Sequence, residues 1–514
     1  MAEVGGSSSK SVRSVSRTDA VRWFGLFVGP VLALVVYLLL PAGETGLGAP
    51  GRATGAIGAL MAVWWLTEAL PLAATALLPI VLFPLTGALG LSETTARYAH
   101  PLIFLFMGGF LLALGMQRWG LHKRIALTTI LLVGARPRRL IAGFMIATAL
   151  LSMFVSNTAT AVMLVPIAMS VVELARGRLG EDREGLLGPF ACALMLSIAY
   201  AASIGGVGTL IGSPPNTLMA GFVSDRYGVE ISFARWMLVG VPLVVVFLPI
   251  AWLYLVRIAS PVRLPEIPGG RSLIRDELRA LGPMSRGEWT VFVVFVITAG
   301  AWITRPLIVA LGDRMGWAPL TQLSDTGIAM AGGLALFLIP VEARTRTFAL
   351  DWASAERLPW GVLLLFGGGL ALARAMEHGG VDVFLGSGFS ALSGAPVTLL
   401  VLCVALLVIF LTELTSNTAV TSALLPVLAG VALELGLEHP VLLLLPATLA
   451  ASCAFMLPVA TPPNAIVFAS GAISVGRMAR AGLALNLIGV LLVALASLAL
   501  HPLLGWSPGL GGGG

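Results

Sequence analysis

The sequence predicts an all-α, polytopic membrane protein. Hydrophobic residues make up 58% of the 514 positions and charged residues only 11%, whereas an ordinary soluble domain has about 25% charged residues. Apolar segments close to the length that a helix needs to cross a bilayer recur along the whole chain. We expect about eleven transmembrane helices, together with two shorter re-entrant hairpins that enter the membrane without crossing it.

The expected helices lie between two polar or Gly-rich tails. Residues 1–19 are Ser-rich and basic and lack an apolar stretch, which predicts a disordered cytoplasmic tail without a cleaved signal peptide. The closing Gly-rich run predicts a flexible tail at 506–514. The apolar segments lie near residues 21–40, 54–70, 72–88, 102–118, 188–224, 233–256, 289–311, 325–341, 358–377, 440–475 and 481–503.

The positions of the basic residues predict the orientation of the chain. The net charge of +6 comes from Lys and Arg that cluster in loops, which favours membrane topology over nucleic-acid binding as its cause. A cytoplasmic N-terminus places the clusters at 1–19, at 118–139 and in a loop at 259–288 on the inside. We therefore expect a multi-pass protein of the cell inner (plasma) membrane, with its C-terminus outside. Three widely separated cysteines predict neither a disulfide nor a metal site.

A short hydroxyl-rich phrase occurs twice inside apolar sequence. Ser156-Asn157-Thr158-Ala159 recurs 260 residues later as Ser416-Asn417-Thr418-Ala419, and the same offset aligns 105–109 with 365–369. A constant register over such a length indicates an internal duplication. Duplicated units, often of inverted topology, are typical of secondary transporters.

Each copy of the phrase interrupts an apolar stretch, at 140–172 in the first unit and at 396–433 in the second. The arm from 140 to 155 extends for about 24 Å as a helix, less than the roughly 30 Å of the hydrocarbon core. This length favours a re-entrant hairpin whose tip stops near the midplane. The assigned orientation makes the first hairpin enter from the cytoplasm and the second from outside.

Two further apolar segments, 188–224 and 440–475, are broken by Gly and Pro. The breaks are expected at Gly205–Asn216 and Pro458–Asn464, with Ser213 and Thr461 as helix N-caps before Pro. Non-helical backbone at membrane depth is tolerated where it is buried or lines a cavity. Together with the hairpin tips, these breaks would direct four helix N-termini toward one place.

The composition of these segments predicts how an anion would be bound. Helix N-termini attract anions, and no Lys or Arg occurs within 140–175, 184–225 or 375–476. The charge of an anion would therefore have to be balanced by backbone dipoles and metal cations. Hydroxyl, amide and carbonyl oxygens suit sodium, and the 260 offset carries Ser152 and Ser156 onto Thr412 and Ser416.

Two acidic residues lie close to the expected breaks. Glu413, whose counterpart at the 260 offset is Met153, is either a packing or gating contact or a coupling group, because a carboxylate inside the membrane is a functional candidate by default. Glu68, which precedes Pro71, is interpreted as a structural cap or an interface residue.

These features resemble the divalent anion/sodium symporter family, which includes sodium-dependent dicarboxylate transporters. The resemblance rests on the paired Ser-Asn-Thr phrases, the two Pro-Pro-Asn breaks and the run from Thr67 to Pro79. It implies a homodimer in which scaffold helices hold still while a transport domain moves as an elevator. The scaffold would comprise 20–135 and 289–378, and the transport domain 136–258 and 396–505.

The resemblance also implies ligands for at least two sodium ions and for one substrate. The first sodium site would comprise Ser152, Ser156, Asn157 and a carbonyl near Gly205. The second would comprise Thr412, Ser416, Asn417 and a carbonyl near Ala460. Substrate carboxylates would lie among Ser156, Asn157, Thr158, Ser416, Asn417 and Thr418, with Thr461 nearby.

The leading hypothesis is symport of sodium with a C4 dicarboxylate such as succinate, malate or fumarate. An inorganic dianion such as sulfate is one alternative substrate, and sodium-independent dicarboxylate exchange is an alternative mechanism. A proton-coupled antiporter would need Glu413 as its titrating group. We do not expect an enzyme, because the segments lack the nucleophile pairs and zinc motifs of intramembrane enzymes.

Overall fold

The computed structural model describes residues 17–42, 46–134, 136–178, 184–264, 267 and 269–505. The predicted tail at 506–514 and residues 1–16 of the predicted tail at 1–19 lie outside these residues. Residues 17–19 were also predicted to be disordered, but they form the start of the first helix, which begins at Arg17. The described chain is helical almost throughout, and its one two-stranded sheet pairs β1 (Pro340–Glu342) with β2 (Thr347–Phe348). The predicted all-α, polytopic membrane fold is therefore confirmed.

Twelve helices form the first half of the described chain. They are α1 (Arg17–Leu39), α2 (Ala49–Thr67), α3 (Leu72–Thr75), α4 (Leu78–Thr86), α5 (Leu91–Ala96), α6 (Pro101–Arg118), α7 (Leu121–Val133), α8 (Pro137–Ser152), α9 (Asn157–Arg178), α10 (Glu184–Gly206), α11 (Pro214–Tyr227) and α12 (Phe233–Tyr254).

Twelve more helices follow in the second half. They are α13 (Gly270–Ala280), α14 (Arg286–Met315), α15 (Ala318–Thr321), α16 (Asp325–Leu338), α17 (Trp352–Ala355), α18 (Trp360–His378), α19 (Val381–Ser387), α20 (Val397–Thr412), α21 (Asn417–Glu434), α22 (Val441–Ala451), α23 (Pro462–Ala469) and α24 (Val475–Leu500).

Nine helices of the described residues are long and apolar enough to cross a membrane. Two of them, α9 and α21, lie in the predicted hairpins, so seven of the about eleven expected spans contain a helix of that length. Part of the difference arises at 72–88, where Ala76 and Leu77 separate α3 from α4. Another part arises at 325–341, where α16 has only 14 residues. Both regions are apolar, but neither forms one helix of spanning length.

The duplication is visible in the backbone as well as in the sequence. Helices α8 and α20 each have 16 residues, and their bounds differ by the same 260 positions. Two pairs of glycines at that offset adopt left-handed or related positive φ angles: Gly120 and Gly380 at 74° and 68°, and Gly134 and Gly394 at 112° and 90°. Only glycine adopts such angles without strain. The two units therefore share turns as well as helices.

The two halves of the chain pack into one another. Helix α11 of the first unit lies against α21 and α22 of the second, and α23 of the second unit lies against α9 and α10 of the first. A smaller apolar cluster joins α2 and α4 to α18 and α19. Residues of both units therefore surround the same interior.

Several elements were not predicted. The basic stretch 118–139 contains α7, and the expected loop 259–288 contains the amphipathic helix α13. Helix α13 packs against α7, where Lys123 forms an ion pair with Glu277 at 3.0 Å. This part of the loop is therefore an ordered cover over α7.

Candidate functional site

Both Ser-Asn-Thr phrases lie at helix breaks. Helix α8 ends at Ser152, the next four residues are not helical, and α9 begins at Asn157. In the second unit, α20 ends at Thr412 and α21 begins at Asn417. The first N–H groups of α9 and α21 therefore start at the two tips, where a helix has no internal acceptors for them.

The first broken helix is interrupted between Gly206 and Pro214, and Asn216 stabilises the interruption. Its side-chain Nδ2 donates to Gly206 O at 3.0 Å and to Thr209 O at 2.8 Å. Trp236 Nε1 donates to Val207 O at 2.9 Å. These bonds satisfy carbonyl groups that the helix would otherwise have satisfied.

The second broken helix uses the same device. Asn464 Nδ2 donates to Ala454 O at 3.2 Å and to Leu457 O at 3.0 Å, ten and seven residues before it, as for Asn216. The interruption is longer than predicted, because α22 already ends at Ala451 rather than near Pro458. This break is therefore present as predicted, but it begins earlier than expected.

The two expected N-caps differ. Thr461 precedes α23, and its hydroxyl accepts from Asn464 N at 3.3 Å. Ser213 occupies the N-cap position of α11 but makes no such bond to the described backbone. Its Oγ lies instead 3.0 Å from Ser452 Oγ of the second break. The hydroxyl of Ser213 therefore joins the two breaks.

The first tip is bonded directly to the first break. Ser152 Oγ lies within hydrogen-bond distance of Ala202 O, at 2.8 Å, and of Asn157 Oδ1, so its single hydroxyl hydrogen serves both acceptors. Thr209 Oγ1 donates to Met153 O. Gly205 packs so closely that a Cβ there would lie 2.5 Å from the backbone of Ala149. Two helices with a side chain at this position could not approach as closely.

The second tip is bonded to the second break through Glu413. Its carboxylate accepts from Phe455 N, Met456 N and Leu457 N at 2.7, 2.8 and 2.9 Å. Asn486 Nδ2 of α24 donates to the same carboxylate at 2.8 Å. The packing contact predicted for Glu413 is therefore present, and it is made with the second break.

A continuous chain of polar contacts thus connects the four helix interruptions. It runs from the first tip to the first break, across the hydroxyl pair of Ser213 and Ser452, and from the second break to the second tip. Tyr200 and Phe455 also pack with ring centroids 5.1 Å apart. The interruptions therefore belong to one region of the molecule.

The candidate ligands of the first unit are partly assembled. Ser152 is fully buried and bonded to Asn157 Oδ1, and a Cβ at Gly206 would lie 2.9 Å from that Oδ1. Ser156 Oγ accepts from Ala159 N at 3.3 Å. Side-chain oxygens and the first break therefore meet at one place.

The candidate ligands of the second unit are arranged differently. Thr412 is fully buried, but its hydroxyl donates to Ile409 O of its own helix at 3.0 Å. Asn417 Oδ1 is buried without a hydrogen-bond partner among the described atoms. No described hydrogen bond joins Ser416 or Asn417 to Ala460. An oxygen acceptor left unpaired in this way is available to a cation.

The candidate substrate ligands also differ in exposure. Thr158 is exposed, whereas Thr418 is only 8% exposed and Thr461 only 6%. The two Ser-Asn-Thr phrases therefore have similar backbone positions but differ in the solvent exposure of their threonines.

The roles of the two Pro-Pro-Asn asparagines were not predicted. Asn216 and Asn464 are fully buried, and the Oδ1 of each lacks a partner among the described residues. Their repeated place after two prolines was a usable signal. Asn486, by contrast, is one polar residue in a long apolar helix, and nothing local marks it.

Glu68 lies apart from this region. It is the C-cap of α2 in a left-handed conformation, with φ of 48°, and forms an ion pair with Arg22 at 3.3 Å. Both residues line a cavity of about 640 Å³ that is bounded by 68–73 and by the start of α18. The expected cap role of Glu68 is confirmed.

Comparison with known families agrees with this architecture. The family described as "Sodium:sulfate symporter transmembrane region" matches residues 20–507. The chain belongs to the divalent anion/sodium symporter family. As a member of this family it is a multi-pass membrane transporter and not an enzyme.

Curated relatives and solved structures extend the comparison. The sodium-dependent dicarboxylate transporter SdcS of Staphylococcus saprophyticus is 42% identical over 480 residues, which cover 93% of this chain and 91% of that protein. SdcS of Staphylococcus aureus strain USA300 is 42% identical over 479 residues, with the same coverage.

Two solved transporters share the fold at low identity. YdaH of Alcanivorax borkumensis has a TM-score of 0.57 at 14% identity and covers 96% of this chain and 99% of its own. MtrF of Neisseria gonorrhoeae has a TM-score of 0.56 at 13% identity and covers 94% of this chain and 95% of its own. The fold of this symporter family member therefore also occurs in proteins of much lower sequence identity than the SdcS relatives.

Proposed function

We propose that this protein is a secondary symporter that couples inward sodium flux to the uptake of C4 dicarboxylates such as succinate, malate and fumarate. The observation that carries the proposal is the chain of contacts between four helix interruptions, in segments that contain no Lys or Arg. Such a region offers an anion only partial positive charges and bound cations. The names of the SdcS relatives support both solutes.

The substrate would lie between the tips. The first N–H groups of α9 and α21 lie there without acceptors inside their own helices. Thr418 provides a hydroxyl next to Asn417, and Thr461 provides one at the second break. Two tips of the same composition suit a ligand with two carboxylates. The proposed substrate ligands are Ser156, Asn157, Thr158, Ser416, Asn417, Thr418 and Thr461.

Each proposed sodium ion would be held by oxygens of one tip and its break. The first site would use Ser152, Ser156, Asn157 and the backbone near Gly205, and the second Thr412, Ser416, Asn417 and the backbone near Ala460. The unpaired Oδ1 of Asn417 supports the second site. The contact of Gly206 with Asn157 supports the first.

The proposed movement follows the duplication. The hairpins and broken helices, 136–258 and 396–505, would form the transport domain of an elevator. Residues 20–135 and 289–378 would form the scaffold and hold a homodimer. The N-terminus would be cytoplasmic and the C-terminus outside, since the basic loops then lie inside.

Uptake by proteoliposomes that contain the purified protein tests the proposal. Succinate uptake should require an inward sodium gradient and should stop when choline replaces sodium. Asn157→Ala and Asn417→Ala should each weaken the sodium dependence, whereas Ser390→Ala, at an exposed turn away from both tips, should not. Unchanged succinate uptake in choline would refute the coupling.

Sulfate is the second candidate, because the matching family is named for sodium:sulfate symport. Competition separates the two candidates. Excess malate or fumarate should block succinate uptake, while excess sulfate should not. Sodium-dependent uptake of sulfate without uptake of any dicarboxylate would make sulfate the substrate.

A further inference from the structure

Glu413 has no acidic counterpart in the first unit. The residue 260 positions earlier is Met153, and both follow directly after the first helix of a hairpin. The backbone is duplicated at this position, but the side chain is not. Any role of this carboxylate therefore belongs to the second unit alone.

The carboxylate of Glu413 is surrounded by donors. Three successive backbone N–H groups and the amide of Asn486 donate to it at 2.7 to 2.9 Å, and the residue is only 3% exposed. Asn486 Oδ1 also accepts from Phe455 N at 3.2 Å. Because each of these partners is a donor, the oxygens act only as acceptors, as an ionised carboxylate does.

The first break does without a carboxylate at the same place. Counting back from the first proline of α11 and of α23, Val207 and Gly208 correspond to Phe455 and Met456. Val207 N and Gly208 N donate within their own turn, to Ile204 O at 3.2 Å and Gly205 O at 2.9 Å. The methyl group of Met153 packs on Gly208 instead.

The two breaks are therefore stabilised by different means. Helix α10 continues to Gly206, but α22 ends at Ala451, three residues before the corresponding Ala454. The longer unwound segment has N–H groups that lack helical acceptors, and Glu413 accepts from three of them. Unpaired N–H groups in the membrane interior would be costly.

We infer that Glu413 is a positioning residue that holds the second break open and supplies a fixed negative charge to the second sodium site. The inference rests on the proposed function. Glu413 follows Thr412, a proposed ligand, and no Lys or Arg within 375–476 offsets its charge. The first site has no such carboxylate, so the charge of Glu413 strengthens sodium binding at the second site alone.

Sodium titrations of uptake test this inference. Glu413→Gln keeps the size of the side chain and removes the charge. For unit charges about 10 Å apart at an effective dielectric constant of about 20, the lost attraction corresponds to on the order of tenfold in affinity. The sodium concentration for half-maximal succinate uptake should rise by about that factor. The maximal rate should fall by a smaller factor.

Glu434→Gln is the matched control, because it removes an exposed carboxylate at the other end of α21, and it should leave the sodium dependence within about twofold. Glu413→Asp retains the charge. Its half-maximal sodium concentration should therefore be closer to that of the unmodified protein than the value for Glu413→Gln. Such a rescue is not expected if the residue only fills space, because Asp is the poorer match in size.

The outcomes are distinct. A folded Glu413→Gln protein with unchanged half-maximal sodium, or with a lower rate alone, would overturn the inference while leaving the symport proposal intact. If Glu413→Gln does not fold, Asn486→Ala replaces it and should raise half-maximal sodium severalfold; no rise would overturn the inference. Sodium-independent uptake by the unmodified protein would overturn both proposals.

Discussion

Gly205→Ala should separate the first hairpin from the first break. A Cβ at Gly205 would lie 2.5 Å from Cα and O of Ala149, whereas ordinary contacts begin at 3.4 Å. Helices α8 and α10 would have to move apart by roughly 1 Å, because backbone atoms cannot be displaced like the end of a flexible side chain. Overpacking of this kind costs about 1–3 kcal/mol.

The same shift should disrupt the first proposed sodium site. Ser152 Oγ donates to Ala202 O across these helices at 2.8 Å, and a further ~1 Å exceeds hydrogen-bond distance. A binding site that is looser by about 1 Å loses function. We therefore expect Gly205→Ala to lose sodium-dependent uptake as well as thermal stability.

The assay compares melting temperatures in detergent with and without sodium, since a ligand that binds only the folded state raises the melting temperature. Gly205→Ala should melt lower and should lose the rise with sodium. Gly188→Ala on the same helix is the control, because its Cβ would meet open space. A folded Gly205→Ala protein with normal sodium stabilisation would refute the reasoning.

Three further substitutions test other contacts of this framework by thermal or denaturant unfolding. Thr209→Val removes the hydroxyl that donates to Met153 O and accepts from Gly212 N; we expect a loss of about 1–3 kcal/mol in unfolding free energy, and an unshifted transition would contradict it. Arg226→Gln removes the cation that lies 2.5 Å from the buried carboxylate of Asp382 and should cost about 3–5 kcal/mol. The exposed pair of Arg176 and Glu173 is its control, so Arg176→Gln should change little; equal shifts would disprove the role of burial. Asn464→Leu removes the donor to two carbonyls of the second break and should destabilise about as much as Asn216→Leu; markedly unequal losses would contradict the equivalence of the two asparagines.

The helix interruptions could be predicted because their causes are local. Pro, Gly and Ser-Asn-Thr weaken helices wherever they occur, and the duplication showed which interruptions correspond. The start of the second break could not be predicted, since residues 452–457 include apolar residues compatible with a helix. Their unwinding depends on Glu413, which lies 42 residues from Phe455 along the chain.

Elements held by distant charges were missed for the same reason. Helix α7 contains His, Lys and Arg, a composition that favours a basic loop. Arg124 in fact bonds to Glu288 at 2.7 Å across 164 residues, and Glu288 is part of the capping box of α14. Local composition carries no information about such a partner. The charged residues of α7 were therefore expected to be solvated, whereas the fold provides Arg124 with a counterion.

A binding region without fixed cations makes coupling a consequence of electrostatics. In the proposed symporter, a dicarboxylate that arrived alone would meet only helix termini of about half a positive charge each, too little to replace the hydration of two carboxylates. Sodium ions supply the missing charge, and by thermodynamic reciprocity the dicarboxylate strengthens sodium binding by the same factor. An Arg or Lys at either tip would let the anion bind without sodium. The exclusion of these residues from 140–175, 184–225 and 375–476 is therefore what would make uptake depend on the sodium gradient.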